Sequence, residues 1–261
     1  MIQKINFSKY QGAGNDFILI DNRKGDFERS NEFLVKNLCD RKFGIGADGL
    51  MLLQDNENYD FEMVYYNADG REGSMCGNGG RCIVAFAKDL GIIKDKTVFL
   101  AVDGEHQASI IDQIVELQMI DVEKLEMDNQ AYVINTGSPH YVTFVDDLTD
   151  LNVYQEGYSI RNSTPYKENG INVNFVQKEA DHYFVRTFER GVEDETLACG
   201  TGVTAAAMSI AIEENLNGAI EIPIRVLGGQ LSVSFQRENN KFTDVYLKGP
   251  AKFVFTGAIP S

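Results

Sequence analysis

Tryptophan is absent from the 261-residue sequence, proline occurs only 5 times and histidine only 3 times. So little proline argues against a linker-rich or disordered chain, and an apolar content of 43% is enough for a sizeable core. Long hydrophobic runs are also missing, because no stretch reaches the roughly 20 apolar residues of a membrane-spanning helix. The strand-like start carries no apolar signal-peptide segment. We therefore expect a cytoplasmic protein with no membrane partner.

Positive charge is in deficit, with 24 Lys and Arg against 39 Asp and Glu, for a net charge of −15. This balance argues against a nucleic-acid partner, whose phosphates require a basic surface. It does not exclude a small anionic substrate, because local fields decide binding in a cleft. Most of the acidic residues are dispersed, as on an ordinary solvated surface.

Cysteine and histidine are too few and too scattered to predict a metal site. The cysteines are Cys39, Cys76, Cys82 and Cys199, and the histidines are His106, His140 and His182. No Cys-x-x-Cys pair or other paired ligand spacing occurs among them. We expect reduced thiols, no metal and no cofactor.

Two of the cysteines open similar motifs, Cys76-Gly77-Asn78-Gly79 and Cys199-Gly200-Thr201-Gly202, close to half the chain apart. An apolar run with helical spacing follows each motif. The second run, Val203–Ile212, is apolar almost all round, which predicts a helix enclosed on every side. Each cysteine is therefore predicted at the N-terminus of a buried helix.

The order of predicted elements is the same in both halves: strands, a loop, the cysteine motif, a buried helix and more strands. We interpret this as an approximate duplication and predict an α+β fold of two pseudo-symmetric lobes. Residues 1–116, joined by the last strand at 250–261, form one predicted lobe, and 117–249 form the other. A further helix is predicted over Ser30–Arg41, with Ser30 as its N-cap and Phe33, Leu34 and Leu38 on one face.

A helix N-terminus supplies free N–H groups and a partial positive charge, which bind anions and favour a thiolate. A single cysteine beside a glycine turn is most often structural. Two such motifs, symmetrically placed, favour a shared role. Two facing sulfurs can invert a carbon when one removes its proton and the other returns a proton to the opposite face. The helix N–H groups would stabilise the carboxylate next to that carbon as negative charge develops.

Several motifs in the same order resemble the diaminopimelate epimerase family and cover nearly the whole chain. They are Gly12-Ala13-Gly14-Asn15-Asp16-Phe17, Gly46-Ala47-Asp48-Gly49, Asn67-Ala68-Asp69-Gly70, Met75-Cys76-Gly77-Asn78-Gly79-Gly80-Arg81-Cys82, Glu189-Arg190-Gly191 and Thr196-Leu197-Ala198-Cys199-Gly200-Thr201-Gly202. The resemblance implies a cofactor-independent exchange of L,L- and meso-2,6-diaminopimelate, which serves lysine and peptidoglycan synthesis. It also implies two lobes, each a small barrel of strands around a helix.

The resemblance implies that Cys76 and Cys199 are the base and the acid, in either order. The α-carboxylate would lie near Gly77, Asn78, Gly200 and Thr201, and the far end of the substrate near Asn15, Asn67, Asn172, Glu189 and Arg190. Arg190 can pair with a carboxylate and Glu189 with an ammonium group. The sequence departs from the family at Ser138, where Asn is usual, and at Gly49, where some members have Gln. Both departures concern the far end of the substrate.

Other residues and functions stay open at this stage. Cys82 and Cys39 are expected in the core, His140 is a candidate supporting residue, and Arg81 either lies on the helix surface or positions its motif. A proline or hydroxyproline epimerase, and a non-catalytic anion-binding or thiol-redox protein, are the alternative functions. A homodimer is the hypothesis for assembly.

Overall fold

A computed structural model describes residues 4–73 and 75–260. The chain divides into two compact units: the first runs to Leu117 and takes in the segment from Pro250, and the second is Gln118–Gly249. The assignment of 1–116 with 250–261, and of 117–249, to two functional lobes stays a prediction.

The first unit begins with β1 Lys4–Gly12, β2 Asn15–Asp21, α1 Glu32–Cys39, β3 Gly49–Gln54, β4 Glu62–Asn67, α2 Gly77–Asp89, β5 Lys96–Ala101, β6 Gly104–Ile111 and β7 Ile114–Gln118. The second unit contains β8 Leu125–Asp128, β9 Ala131–Asn135, β10 Pro139–Phe144, α3 Val153–Arg161, β11 Asn172–Lys178, β12 Tyr183–Glu189, β13 Asp194–Thr196, α4 Gly200–Glu213, β14 Gly218–Val226, β15 Gly229–Glu238 and β16 Lys241–Pro250. The last strand, β17 Lys252–Pro260, returns to the first unit, where it pairs with β1.

The strands of the first unit lie in the order β17-β1-β2-β3-β4-β5-β6-β7. Only β2–β3 and β4–β5 pair in parallel, and these two pairs are connected by α1 and α2 respectively. A parallel pair needs a crossover connection, which each helix supplies. Helix α2 packs against β1, β2, β3, β6 and β17, so the sheet encloses it.

The second unit repeats this plan. Its strands lie in the order β8-β9-β10-β11-β12-β14-β15-β16, and the short β13 pairs with β12. The parallel pairs are β10–β11, connected by α3, and β12–β14, whose connection contains α4. Helix α4 is buried on all sides from Gly202 to Ala211, as its apolar sequence predicts. The predicted α+β fold, with a sheet wrapped around one helix in each half, is confirmed.

Helix α1 differs from its prediction at both ends. It covers Glu32–Cys39, and its N-cap is Asn31, whose side chain accepts a hydrogen bond from the amide of Leu34 at 3.0 Å. The hydroxyl of Ser30 instead donates to Glu28 at 2.9 Å, so it does not cap the helix. The predicted apolar face was wrong at Phe33, which is 75% exposed, whereas Leu34 is half-buried and Leu38 is buried.

Helix α3 and strand β8 were not predicted. Only Val153 and Gly157 are buried in α3, so its sequence lacks the apolar stripe that indicates a helix. Its start nevertheless carries a recognisable capping residue, because Asn152 accepts a hydrogen bond from the amide of Gln155 at 3.0 Å.

Candidate functional site

Cys76 is the N-cap of α2 in the first unit and has extended backbone angles, φ −112° and ψ 121°. The first intrahelical hydrogen bond runs from the amide of Gly80 to the carbonyl of Cys76 at 2.7 Å. The amides of Gly77 and Asn78 precede that bond, at the positive end of the helix dipole. Cys76 is half-buried. The predicted arrangement of a cysteine at the N-terminus of a buried helix is present in this unit.

Asn78 and Asn15 are joined side chain to side chain beside this turn. The amide nitrogen of Asn78 donates to the side-chain oxygen of Asn15. Asn15 in turn donates to Asp48 at 3.0 Å. Asn78 is buried and Asn15 is half-buried, so the link leads from the helix turn outward.

Two cations surround the carboxylates next to Asn15. Lys9 lies 2.6 Å from Asp16, and Arg41 lies 2.6 Å from both Asp16 and Asp48. Burial opposes ionisation of Asp16, but hydrogen bonds from Arg41 and Lys9 hold its pKa below the usual range. Asp16 therefore pairs with two charged side chains.

Asn67 ends β4 and its side chain is exposed. Its backbone forms a turn, since the amide of Gly70 donates to the carbonyl of Asn67 at 2.9 Å. Met75 and Cys76 follow after Gly73, whereas Ser74 lies outside the described residues.

The departure at Gly49 has a steric explanation. A Cβ on Gly49 would lie 2.5 Å from Cε2 and 3.0 Å from the hydroxyl of Tyr65, so the tyrosine fills the space of a side chain at position 49. A Cβ on Gly73 would lie 2.8 Å from Tyr65 Cε1 and 2.8 Å from the amide nitrogen of Asn67. Tyr65 was not predicted, although it stands two residues before Asn67 on the same face of β4.

Cys199 is the N-cap of α4 in the second unit, with φ −116° and ψ 110°, and it is buried. Its sulfur lies 3.5 Å from the hydroxyl oxygen of Thr201. A Cβ on Gly202 would lie 3.3 Å from that sulfur and would overlap the side-chain oxygen of Asn174. A glycine is therefore required at this position in the first turn.

His140 supports this turn from β10. Its Nε2 lies 2.9 Å from the Thr201 hydroxyl, and its Nδ1 lies 3.1 Å from the amide nitrogen of Asn174. Complete burial, together with the charge of Arg190, lowers the pKa of His140 to about 3, so the ring is neutral. The amide nitrogen of Asn174 is a donor, so Nδ1 accepts and the ring proton lies on Nε2.

Asn174 was also missed, although it lies two residues after Asn172 on the same face of β11. It donates to the carbonyl of Tyr141 and accepts from Thr187, at 3.1 and 3.0 Å. The alternation Asn172-Val173-Asn174, which places two amides on one face of a buried strand, was the available signal.

Ser138, Asn172 and Arg190 form one hydrogen-bonded cluster. Asn172 donates to the Ser138 hydroxyl at 2.9 Å, and it accepts from the backbone amide of Arg190 at 2.9 Å. The Arg190 guanidinium also donates to Ser138, at 3.3 Å. Nearby, Glu189 accepts a hydrogen bond from Thr196 at 2.5 Å. Ser138 therefore joins the cluster in spite of being shorter than the usual Asn.

Cys82 and Cys39 are buried, and burial raises the pKa of each to about 12. Both lie in the core as predicted. Arg81 is fully buried, which excludes the helix-surface alternative.

Within residues 4–73 and 75–260, no three His, Cys, Asp or Glu side chains are grouped as a metal site requires.

In the same residues, every helix is too short or too polar to cross a membrane.

Comparison with known proteins identifies the family. The family model described as diaminopimelate epimerase matches residues 7–123 and 132–254. A diaminopimelate epimerase of Flavobacterium psychrophilum is 53% identical over 96% of this chain and 98% of its own length. The enzyme of the same name from Chlorobaculum tepidum is 43% identical, over 95% and 98%.

Solved structures share the fold at low sequence identity. A PhzF-family phenazine biosynthesis protein of Bacillus anthracis has a TM-score of 0.75 at 15% identity, covering 98% of this chain and 99% of its own. A hydroxyproline epimerase of Agrobacterium vitis has a TM-score of 0.70 at 12% identity, covering 98% and 92%. The family model and the curated relatives span nearly the whole chain, and the chain belongs to the diaminopimelate epimerase family.

Proposed function

We propose that this family member interconverts L,L- and meso-2,6-diaminopimelate by two-base proton transfer between Cys76 and Cys199, in the synthesis of lysine and peptidoglycan precursors. The observation that supports this most directly is the repeated N-cap cysteine. Each unit presents its cysteine at the start of a buried helix, followed by a glycine turn. No cofactor enters the proposed reaction.

In the proposed reaction, one cysteine is a thiolate and the other a thiol. The thiolate takes the α-proton and becomes a thiol, the electron pair stays on the α-carbon and its carboxylate, and the other thiol gives a proton to the opposite face. The turns at Gly77–Asn78 and Gly200–Thr201 would bind the α-carboxylate through backbone N–H groups. The mechanism requires both sulfurs to reach one α-carbon, and that requirement is part of the proposal.

The far end of the substrate carries one carboxylate and one ammonium group. We assign Arg190 to the carboxylate, because a guanidinium forms two parallel hydrogen bonds with it. Asn15, Asn67 and Asn172 would add amide contacts, and Glu189 would accept from the ammonium group.

The experiment is deuterium exchange into diaminopimelate in heavy water with no cofactor added. We expect rapid exchange by the parent chain and loss of exchange in Cys76→Ala and in Cys199→Ala. Cys82→Ala is the matched control, because this buried thiol lies on the same helix as the Cys76 turn. Full turnover by either of the first two variants would contradict the two-base mechanism.

A substrate panel separates the related functions. Diaminopimelate, proline and hydroxyproline all carry an α-carboxylate, but only diaminopimelate has a second charged end for Arg190. Exchange confined to proline or hydroxyproline would favour the alternative epimerase. Anion binding without exchange on any substrate would favour a non-catalytic protein.

We also propose a cytoplasmic homodimer that needs neither nucleic acid nor membrane. The reducing cytoplasm would keep both thiols available. Among the described strands, β17 pairs only with β1, and its Phe253, Val254 and Phe255 are each 44–52% exposed. An exposed apolar edge strand favours pairing with a second copy. Light scattering of the parent chain and of Val254→Lys tests this, because a parent monomer would contradict the dimer.

A further inference from the structure

The largest fully buried side chain among the described residues is that of Arg81, in the second turn of α2. A guanidinium stays charged in proteins, and a buried charge is costly unless other groups compensate it. Its role is not predicted by the sequence alone. A permanent charge at this depth therefore requires an explanation from its surroundings.

The hydrogen-bond partners of Arg81 both belong to the first turn of its own helix. One terminal nitrogen donates to the carbonyl of Gly77 at 3.3 Å, and the other donates to the side-chain oxygen of Asn78 at 3.0 Å. Its Nε is buried and has no hydrogen-bond partner in the described part of the chain. Both acceptors are neutral, and no carboxylate within residues 4–73 and 75–260 pairs with Arg81.

The groups that act electrostatically on Arg81 are two cysteines, Cys82 and Cys76, each of which carries a negative charge only as a thiolate. Burial lowers its pKa, while Cys82 and then Cys76 oppose that change. Cys82 is itself fully buried, and burial raises its pKa to about 12, so it is neutral at physiological pH. Cys76 is half-buried, so it is the thiol of this pair that solvent can reach.

The elements packed against α2 supply no competing partner among the described residues. Lys9 of β1 pairs with Asp16 of β2, and the hydroxyl of Tyr10 in β1 donates to Asp89 in the last turn of α2. Strand β3 has no titratable side chain. The other titratable groups are either paired or exposed. The pairs are Lys88 with Asp95, His106 with Asp103 and Asp21 with Arg23. The exposed groups are Lys4, Glu105 and Lys252.

Arg81 also fixes the orientation of two amides. Because a guanidinium only donates, Asn78 must turn its oxygen toward Arg81 and its nitrogen toward Asn15. Asn15 then accepts with its oxygen and donates to Asp48 at 3.0 Å. The chain of amides thus runs in one direction from a buried cation to a carboxylate.

We propose that Arg81 is a positioning residue of the Cys76 half-site, which supplies a buried positive charge that favours the Cys76 thiolate and fixes the orientation of Asn78 and Asn15. The importance of Arg81 for catalysis rests on the proposed function. The effect of Arg81 on the Cys76 thiolate is independent of that function, because it can be measured without turnover.

The experiment follows alkylation of Cys76 by iodoacetamide against pH, in a Cys199→Ala background with peptide mass spectrometry. Arg81→Met and Arg81→Gln remove the charge, and Arg81→Lys keeps it. We expect both neutral variants to move the pH midpoint up by about one to two units, and Arg81→Lys to stay close to the parent. With Cys199 intact, the neutral variants should lose roughly tenfold or more in kcat/KM at neutral pH.

Lys88→Met is the matched control, because it removes one positive charge from the last turn of the same helix. An unchanged midpoint in Arg81→Met or Arg81→Gln overturns the proposal, as does an equal change in Lys88→Met. Loss of cooperative thermal unfolding in both neutral variants, with Arg81→Lys intact, would make the charge structural and also overturn it. A different outcome is a parent chain that exchanges no diaminopimelate while the neutral variants still shift the midpoint. That result would support the role of Arg81 at Cys76 and contradict only the proposed function.

Discussion

The hydroxyl oxygen of Thr201 lies 2.9 Å from Nε2 of His140 and 3.5 Å from the sulfur of Cys199. Because Nε2 carries the ring proton, it donates to Thr201, and the Thr201 proton is left to point toward the sulfur. A neutral hydrogen-bond chain therefore ends on the proposed catalytic atom. A donor aimed at sulfur favours the thiolate over the thiol.

Replacing Thr201 by Val should lower kcat roughly tenfold or more, because the sulfur loses a donor and the His140 proton loses its acceptor. Thr201→Ser keeps the hydroxyl and should retain most of the activity. Deuterium exchange under saturating diaminopimelate measures the difference. Equal activity of the Val and Ser variants would mean that the hydroxyl does not act on Cys199.

The buried His140 should make the fold sensitive to acid. The unfolded chain binds a proton at this residue near its ordinary pKa of 6.5, whereas the folded chain does so only at about 3. The contribution of His140 to the free energy of unfolding is therefore complete above pH 6.5. It is lost as the pH falls toward 3, by about 1.4 kcal/mol for each pH unit. Urea unfolding between pH 3 and 7 should show a shallower pH dependence for His140→Gln than for the parent. Parallel curves for the two proteins would contradict neutral burial.

Gly202→Ala should destabilise the second unit although alanine favours helix. The new methyl group would overlap the oxygen of Asn174, which accepts from Thr187 and belongs to the side chain that supports His140. We expect a loss of about 2 kcal/mol or more in the free energy of unfolding. Gly79→Ala is the control in α2, since its nearest neighbour is the flexible Met51 sulfur at 3.3 Å.

For Gly79→Ala, the higher helix propensity of alanine, about 1 kcal/mol, should offset that tight contact. Urea unfolding of both variants measures the contrast. An equal loss of stability at the two positions would show that the Asn174 contact has no special cost.

Removing the hydroxyl of Tyr65 should weaken substrate binding. Tyr65 occupies the space beside Gly49 and lies on the same face of β4 as Asn67. We expect Tyr65→Phe to raise KM about three- to tenfold with little change in kcat, as for one lost hydrogen bond of 0.5–1.5 kcal/mol. A fall in kcat at constant KM would instead place Tyr65 in the chemical step. Tyr59→Phe is a control on the same unit, outside the candidate site.

The sequence predicted those features that local pattern determines. The buried helices α2 and α4 follow from apolar residues at helical spacing, and both cysteines stand at their N-caps as expected. The choice of Ser30 rather than Asn31 as the cap of α1 was wrong, because both side chains can cap a helix and the Ser30 hydroxyl donates to Glu28 instead.

Contacts between distant segments could not be predicted. The burial of Arg81 depends on strands wrapped around α2, and no local pattern distinguishes it from a surface arginine. The role of Gly49 is likewise visible only once β3 and β4 are paired, because the space it leaves is filled by Tyr65 on the adjacent strand. Asn174 needed only alternation along one strand to be found, so that omission was avoidable.

Strand β17 gives the first unit a particular order of assembly during translation. It pairs with β1 along most of its length, yet the ribosome makes it only after the whole of the second unit. Residues 118–249 can therefore reach their native contacts while β1 still has one edge exposed. The first unit closes last, by joining segments from opposite ends of the sequence, and such distant pairing is slow to form. A chain that is truncated after Ala251 and released from the ribosome should accordingly protect the second unit from protease better than the first.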